Sequence, residues 1–555
     1  VIEKLLTLWP EITLLIGATL TMILGVSPNL STRRLCAPVA GLALLIAGAL
    51  AYLLPVKGAG ILPNLPVYGK IITAAIGLLL LLLMVGLPDR DYEARVVRGE
   101  KFDALRNTRG EFYAFFLFSL TGLMLCAGAD DLIWLFLALE LVSLPTYVMV
   151  AISTARNRSM EAAVKYFFLG ALGAATFLYG FVFIYGATGT TYLPKIGEIL
   201  HEQLASGGLS GIAAAGLVLA VLGICFKIAA VPMHFYTADV YQGAASPVTA
   251  FLAFVPKAAG FFALLLLLGT VGWASRDAAS GLGLPQPLHA VLWIIAALTM
   301  TVGNVLAVLQ SSVKRMFAYS SIAHSGYMLV GVIAGPVPAG SEAESLQASG
   351  LSAVMFYLLA YGVTNVAAFA VLAALQKHGK SGQSEEVDHV SDFKGLCGTN
   401  PILGWTLVLA CVGLLGLPPL LGFFSKMPLL TSGMRAGEHA LVIILVINSA
   451  IAAYYYLRLA ATALLDTADL TTASQVRPLN VATRPIAGII GGLAVVALSF
   501  WPVTVAANWA ASYRPSGAAP ATADPSLTGK ATPIAADQDS ATHAAESAIV
   551  LDGAK

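Results

Sequence analysis

Apolar residues along this chain gather in long unbroken runs separated by short polar stretches. The runs fall near 11–27, 37–55, 71–87, 112–128, 132–150, 162–186, 211–238, 248–271, 287–309, 317–335, 351–375, 403–430, 439–463 and 485–511. Each has about the twenty residues that cross a bilayer as an α-helix. Period-two alternation, the mark of a membrane β-barrel, is absent from them. The pattern therefore predicts an all-α, polytopic membrane protein of about fourteen transmembrane helices. The first run follows Glu3, Lys4 and Glu11 and lacks a basic leader, so it is expected to be a retained span. The polar stretch 512–555 is rich in Ala, Pro, Ser, Thr and Asp and is expected to be a poorly ordered tail.

Composition agrees and narrows the function. The 555 residues are 58% hydrophobic and 11% charged, against about 25% charged in an average soluble domain. A net charge of +1 gives no basic field for nucleic acid. Five scattered cysteines show no CxxC spacing, which argues against a disulfide framework or an iron–sulfur site. No GxGxxG or P-loop pattern occurs. With the N-terminus placed outside, seventeen Lys and Arg fall in inner loops and seven in outer ones, leaving the final tail aside. That asymmetry puts both termini outside.

Some charges lie inside the runs. Glu140, Lys227, Lys257 and Lys426 sit deep in their spans, where the four together cost roughly 10–14 kcal/mol on insertion scales. A structural role seldom needs such groups. Lys165 lies near the start of its run, four residues after Glu161. An ion pair with snorkelling to the inner surface competes with a functional role there. Arg458 reads more as a snorkelling residue. Prolines accompany the charges: Glu140–Pro145 and Lys227–Pro232 share an offset of five, and Pro418–Pro419 precede Lys426. Pro232 deprives the Ile228 carbonyl of its helical donor. Broken helices beside intramembrane charges point to an ion path, although a packing kink is the alternative. His234 lies seven residues from Lys227 and faces the same way if the helix survives the kink. His324 is a second histidine within a run, and a hydrogen-bonded packing role competes with a functional one. Glu, Lys and His together have the chemistry of a proton relay and lack the clustered carboxylates of a sodium or calcium pore.

Five stretches carry a resemblance: "FLALELVSLPTYVMVA", "AVKYFFLGALGAA", "CFKIAAVPMHFYTADVYQGAASPVTAFLAFVPKAAG", "QSSVKRMFAYSSIAHSGYM" and "LLGLPPLLGFFSK". Over about 112–465 the chain resembles the antiporter-like membrane subunits of respiratory complex I, in the subunit N branch. The resemblance implies fourteen helices with two inverted five-helix repeats at 112–271 and 287–463, and breaks in the seventh and twelfth. Three helices (1–111) precede the repeats, and a last helix (485–511) and the 512–555 tail follow. It implies that Glu140, Lys165, Lys227, His234, Lys257, His324 and Lys426 carry proton translocation coupled to NADH:quinone electron transfer in other subunits. Lysine at position 426 and the lack of a long lateral helix favour the N branch over M and L. No cofactor or metal is implied for this chain, and flavin and iron–sulfur clusters are expected in partner subunits. The implied partners are an antiporter-like subunit M, small membrane subunits and lipids in a bacterial inner membrane. A cation/proton antiporter subunit of the Mrp type, a membrane subunit of an energy-converting hydrogenase, and an inert structural anchor are the competing readings.

Overall fold

Inside a bilayer each backbone amide must find its partner within the protein, and a helix supplies that partner four residues away. The computed structural model accordingly is built from helices. It describes residues 7–55, 60–88, 90–154, 157–273, 284–337, 349–378, 384–466, 476–479, 481–500, 509 and 512. Several sequence expectations lie outside these residues: Lys4, Lys57, Arg156, Arg276, Lys380, Arg514, the end of the 485–511 run, and nearly all of the 512–555 tail.

The main helices are α1 (Trp9–Gly25), α2 (Cys36–Leu53), α3 (Leu65–Met84), α4 (Arg109–Ala127), α5 (Leu132–Ile152), α6 (Asn157–Thr188), α7 (Gly211–Lys227), α8 (Thr237–Gly243), α9 (Ser246–Val271), α10 (Gln286–Val308), α11 (Val313–Ala334), α12 (Gly350–Ala374), α13 (Pro401–Leu415), α14 (Leu421–Arg435), α15 (His439–Leu464) and α16 (Thr483–Phe500). Among the described residues eleven helices are long and apolar enough to cross a membrane, and α1, α7 and α13 are shorter apolar helices. Helices α9, α11 and α12 form the centre: α9 is buried along its whole length, α11 and α12 almost so. By contrast α6 and α15 turn large apolar side chains outward, such as Phe168, Tyr179, Ile443 and Ile447. That inside-out distribution suits a lipid exterior, where an exposed apolar surface carries no hydrophobic penalty.

The all-α expectation needs one correction. A small antiparallel sheet, in the order β2-β1-β3, joins β1 (Leu375–His378), β2 (Ser384–Glu386) and β3 (Val476–Pro478) after α12. Its strands are three or four residues long, too short to leave an alternation in the sequence.

The hydropathy runs also misplaced several ends. Helix α3 begins at Leu65, so Lys70, read as an outer-loop charge, lies within the helix. It is buried and 2.9 Å from the equally buried Glu11 of α1. Arg33, Arg109, Lys314 and Arg484, counted as inner-loop charges, are buried too. A hydropathy window stops at a charge, whereas a helix continues when the charge finds a partner.

Pro145 and Pro256 leave α5 and α9 continuous. Pairing a charge with a proline therefore marks an interrupted helix at Lys227 and Lys426 only.

Candidate functional site

Helix α7 stops at Lys227 by a local backbone device. Ala229 takes a left-handed conformation (φ 55°). Its N–H donates to the Phe226 carbonyl at 3.0 Å, and that of Ala230 donates to the Cys225 carbonyl at 2.9 Å. These two bonds are the Schellman closure of a helix end. The chain then runs through turns to Tyr236 before α8 begins, so the helix does not survive the kink. Helix α13 ends in a similar way at Gly416 (φ 84°), and Lys426 follows one turn into α14.

A helix end leaves carbonyls without a helical donor, and in each break a lysine takes one of them. Lys257 Nζ donates to the Ile228 carbonyl at 3.0 Å, and Ser325 Oγ donates to the same oxygen at 2.7 Å. Four residues before Pro419, the Leu415 carbonyl accepts from Lys426 Nζ at 2.7 Å. Both ammonium groups thereby sit at the negative ends of interrupted helices.

The buried groups form a series. Lys227 Nζ lies 3.0 Å from Glu140 Oε1 of α5 and donates to Ser143 Oγ one turn further on. It also stands 5.5 Å from the centre of the Phe177 ring. Lys227 and Lys257 line one cavity of about 10 Å³ with Tyr166, Tyr236, Tyr241 and Pro256, a size that admits a single water. Lys257 completes its three donor bonds on the Ser321 carbonyl and Ser325 Oγ of α11, both at 2.8 Å. One residue before Ser325, His324 meets Tyr357 Oη through Nδ1 and Tyr456 Oη through Nε2 at 2.9 Å. Tyr456 in turn bonds Ser320. The His324 ring packs edge-on against Tyr327 (5.5 Å), and Lys426 Nζ lies 5.0 Å over that tyrosine ring. Lys227, Lys257, His324 and Lys426 are thus buried in one hydroxyl-rich region of the bundle, with the partly exposed Glu140 (18%) against the first of them.

Two expected residues stand apart. His234 is buried in the turn region, stacked near Phe235, and none of its described contacts joins it to a lysine. Its expected alignment with Lys227 required a continuous helix. Lys165 is half-exposed near the start of α6, paired with Glu161 at 2.7 Å and with Asp239 at 3.0 Å. Asp239 also receives Arg315 Nη1 at 2.7 Å. Arg458 donates to the Gln310 carbonyl at 2.6 Å.

Tyr357, Tyr456 and Ser143 escaped the sequence reading because a hydroxyl inside an apolar run looks like packing. A second omission is a clasp between β2 and the helices. Glu386 of β2 pairs with Lys314 and accepts from Ser246 N at 3.2 Å and from Ser246 Oγ at 2.9 Å. Asp388 accepts from Ser312 Oγ at 2.8 Å and from Lys314 N at 3.0 Å. Burial pushes the Glu386 carboxyl up, but the Lys314 ammonium and the serine donors outweigh it and hold the group below its ordinary value. The available signal was the run of four carboxylates, Glu385, Glu386, Asp388 and Asp392, in the stretch after α12.

Comparison with known proteins gives this geometry its context. A family profile described as NADH:quinone oxidoreductase/Mrp antiporter, TM, matches residues 129–452. The chain is 42% identical over 349 residues to NADH-quinone oxidoreductase subunit N of Trichlorobacter lovleyi, covering 63% of this chain and 66% of that protein. It is 37% identical over 395 residues to subunit N of Nitrosomonas europaea (71% and 75% covered). With subunit N 1 of Sorangium cellulosum the identity is 40% over 413 residues (74% and 78% covered). A chain of respiratory complex I from Thermus thermophilus with bound Aureothin superposes with a TM-score of 0.68 at 29% identity, over 91% of this chain and all of that one. A chain of the Mrp complex from a Dietzia species shares the fold, with a TM-score of 0.70 at 19% identity over 92% and 97%. Charged groups lined up inside an antiporter-like helical bundle, and relatives of one kind at this level of identity, lead to one conclusion: the chain belongs to the NADH-quinone oxidoreductase subunit N family of antiporter-like membrane proteins.

Proposed function

We propose that this chain is a proton-translocating membrane subunit of a respiratory complex I, moving protons along Glu140, Lys227, Lys257, His324 and Lys426. The observation that carries this reading is the set of buried Lys227, Lys257, His324 and Lys426 with hydroxyls close by and Glu140 paired to the first, at a depth where each charge is costly. In this reading Glu140 holds the Lys227 ammonium, and weakening of that pair lets Lys227 pass its proton through a cavity water to Lys257. The proton then reaches Lys426 by way of the Ser321, Ser325, His324 and Tyr327 region, and Lys426 exchanges it with the outer side. Lys165 and His234 act at the edges: Lys165 in the inner ion cluster, His234 beside the first break. NADH oxidation and quinone reduction belong to other chains, with flavin and iron–sulfur clusters there and no cofactor in this one.

The same reading gives the architecture. Fourteen spans result when α7 with α8 and α13 with α14 each count as one broken helix. Residues 1–111 precede two inverted repeats at 112–271 and 287–463, and 485–511 closes the bundle before the 512–555 tail. Both termini face the periplasm of a bacterial inner membrane. Neighbouring membrane subunits, including one of the M type, and lipids surround it. Sequence identity supports complex I over an Mrp-type antiporter, since the relatives at 37–42% are all named as subunit N while the Mrp likeness is one of fold.

The test is NADH-driven acidification of inverted membrane vesicles carrying Lys227→Met. Proton pumping is expected to vanish while NADH oxidation by an artificial acceptor, which reports assembly, persists. Undiminished pumping would sink the relay.

A further inference from the structure

Away from the proton line, helices α2, α3 and α16 leave a cavity of about 940 Å³ between them, in the range of about 300–1,000 Å³ that holds sizeable ligands. Its wall is apolar: Ala37, Pro38 and Gly41 from α2, and Leu78, Leu81 and Leu82 from α3. From Leu78 it follows α3 to its end at Met84, roughly 9 Å at 1.5 Å per residue, and continues along Val85 and Gly86 beyond it.

Its inner end is cationic. Arg34 lines the rim, is exposed, and has no ion-pair partner among the described residues. Arg109 lines it as well and is 8% exposed. One of its Nη atoms bonds Glu93 at 2.6 Å, but its buried Nε has no hydrogen-bond partner. Neighbouring Arg33 is spent on the Ser27 and Pro28 carbonyls, both at 2.9 Å, and on the Phe102 ring. Arg34 and Arg109 against Glu93 leave a net charge of +1 among the lining residues, on the side richer in Lys and Arg.

We propose that this cavity is a specific site for an anionic phospholipid, with one acyl chain along α3 and the headgroup phosphate between Arg34 and the Arg109 edge. An apolar slot with a cationic rim is complementary to that molecule. A helix from a neighbouring subunit fits less well. Glu93 and Val97, from the helix Arg90–Val97, close the inner end and block a segment that must run through. The site is independent of the proton pathway.

The experiment uses the assembled complex in vesicles that carry either phosphatidylglycerol or phosphatidylcholine with a photoactivatable acyl chain. The expected result is labelling of the peptide containing Leu78–Gly86, with phosphatidylglycerol exceeding phosphatidylcholine by about fivefold, the worth of one arginine near an anionic headgroup. Arg34→Gln removes that preference, and Ala37→Phe reduces labelling by both lipids. Equal labelling by both lipids that Arg34→Gln leaves unchanged marks ordinary boundary lipid and overturns the proposal. No labelling of that peptide in the assembled wild type means that a partner subunit fills the slot, which also overturns it. Because Arg34 is exposed, its variant remains informative if Ala37→Phe does not assemble.

Discussion

Lys257 satisfies its three ammonium donors with neutral acceptors: the Ile228 carbonyl, the Ser321 carbonyl and Ser325 Oγ. Lys227 instead has a carboxylate. The two lysines beside one small cavity therefore differ in what holds their charge, and a proton passing between them moves from an ion pair to a set of dipoles. Arginine discriminates transfer from mere charge here, because guanidinium keeps its proton. Lys257→Arg is expected to assemble, retain electron transfer to an artificial acceptor and lose dye-reported proton pumping. Pumping at the wild-type rate would mean that position 257 needs only a positive charge. Loss of both activities would instead report misfolding, and Lys257→Met serves as the comparison. Glu140→Gln is expected to lower pumping while leaving Lys227 hydrogen-bonded, since an amide oxygen still accepts its N–H.

At the scale of elements, the two breaks rest on backbone conformation. A left-handed alanine costs about 1–2 kcal/mol relative to glycine, which adopts this region freely. Ala229→Gly is thus expected to raise the thermal midpoint of the solubilised complex slightly, whereas Ala229→Val lowers it. A lower midpoint for glycine would mean that the alanine methyl packs better than the backbone suffers. The clasp of Glu386 on Lys314 and Ser246 ties β2 to α9 and α11. Its carboxyl titrates below the ordinary value of 4.5 in the folded protein. Its contribution is therefore complete above that ordinary value and disappears as pH falls through the lower, folded one. Glu386→Gln leaves the buried Lys314 ammonium without its carboxylate and is therefore expected to destabilise at neutral pH. It is also expected to flatten the acid-side fall in thermal midpoint measured from pH 6 downward. An unchanged acid slope would show that the clasp contributes nothing to acid lability.

For the molecule as a whole, the charged skeleton of the site was legible in the sequence because a charge within an apolar run stands out against its surroundings. Glu140, Lys227, Lys257 and Lys426 were found that way. The connecting parts were not: Tyr357, Tyr456, Ser321 and Ser325 are chemically ordinary in a buried helix, and only three-dimensional packing makes the tyrosines neighbours of His324 and the serines neighbours of Lys257. The same limit hid Glu11–Lys70 and Glu386–Lys314, where two helix ends or a strand and a helix far apart in sequence neutralise each other. Pro145 misled in the opposite sense, since proline predicts a lost bond but not whether neighbouring helices hold the axis straight. The tight space between Lys227 and Lys257 has a further consequence. A pore filled with water would short-circuit the membrane, draining the gradient whenever the machine idled. With room for about one water there, this chain is expected to insulate at rest. Vesicles containing the complex without NADH should hold an imposed pH difference as long as vesicles of lipid alone.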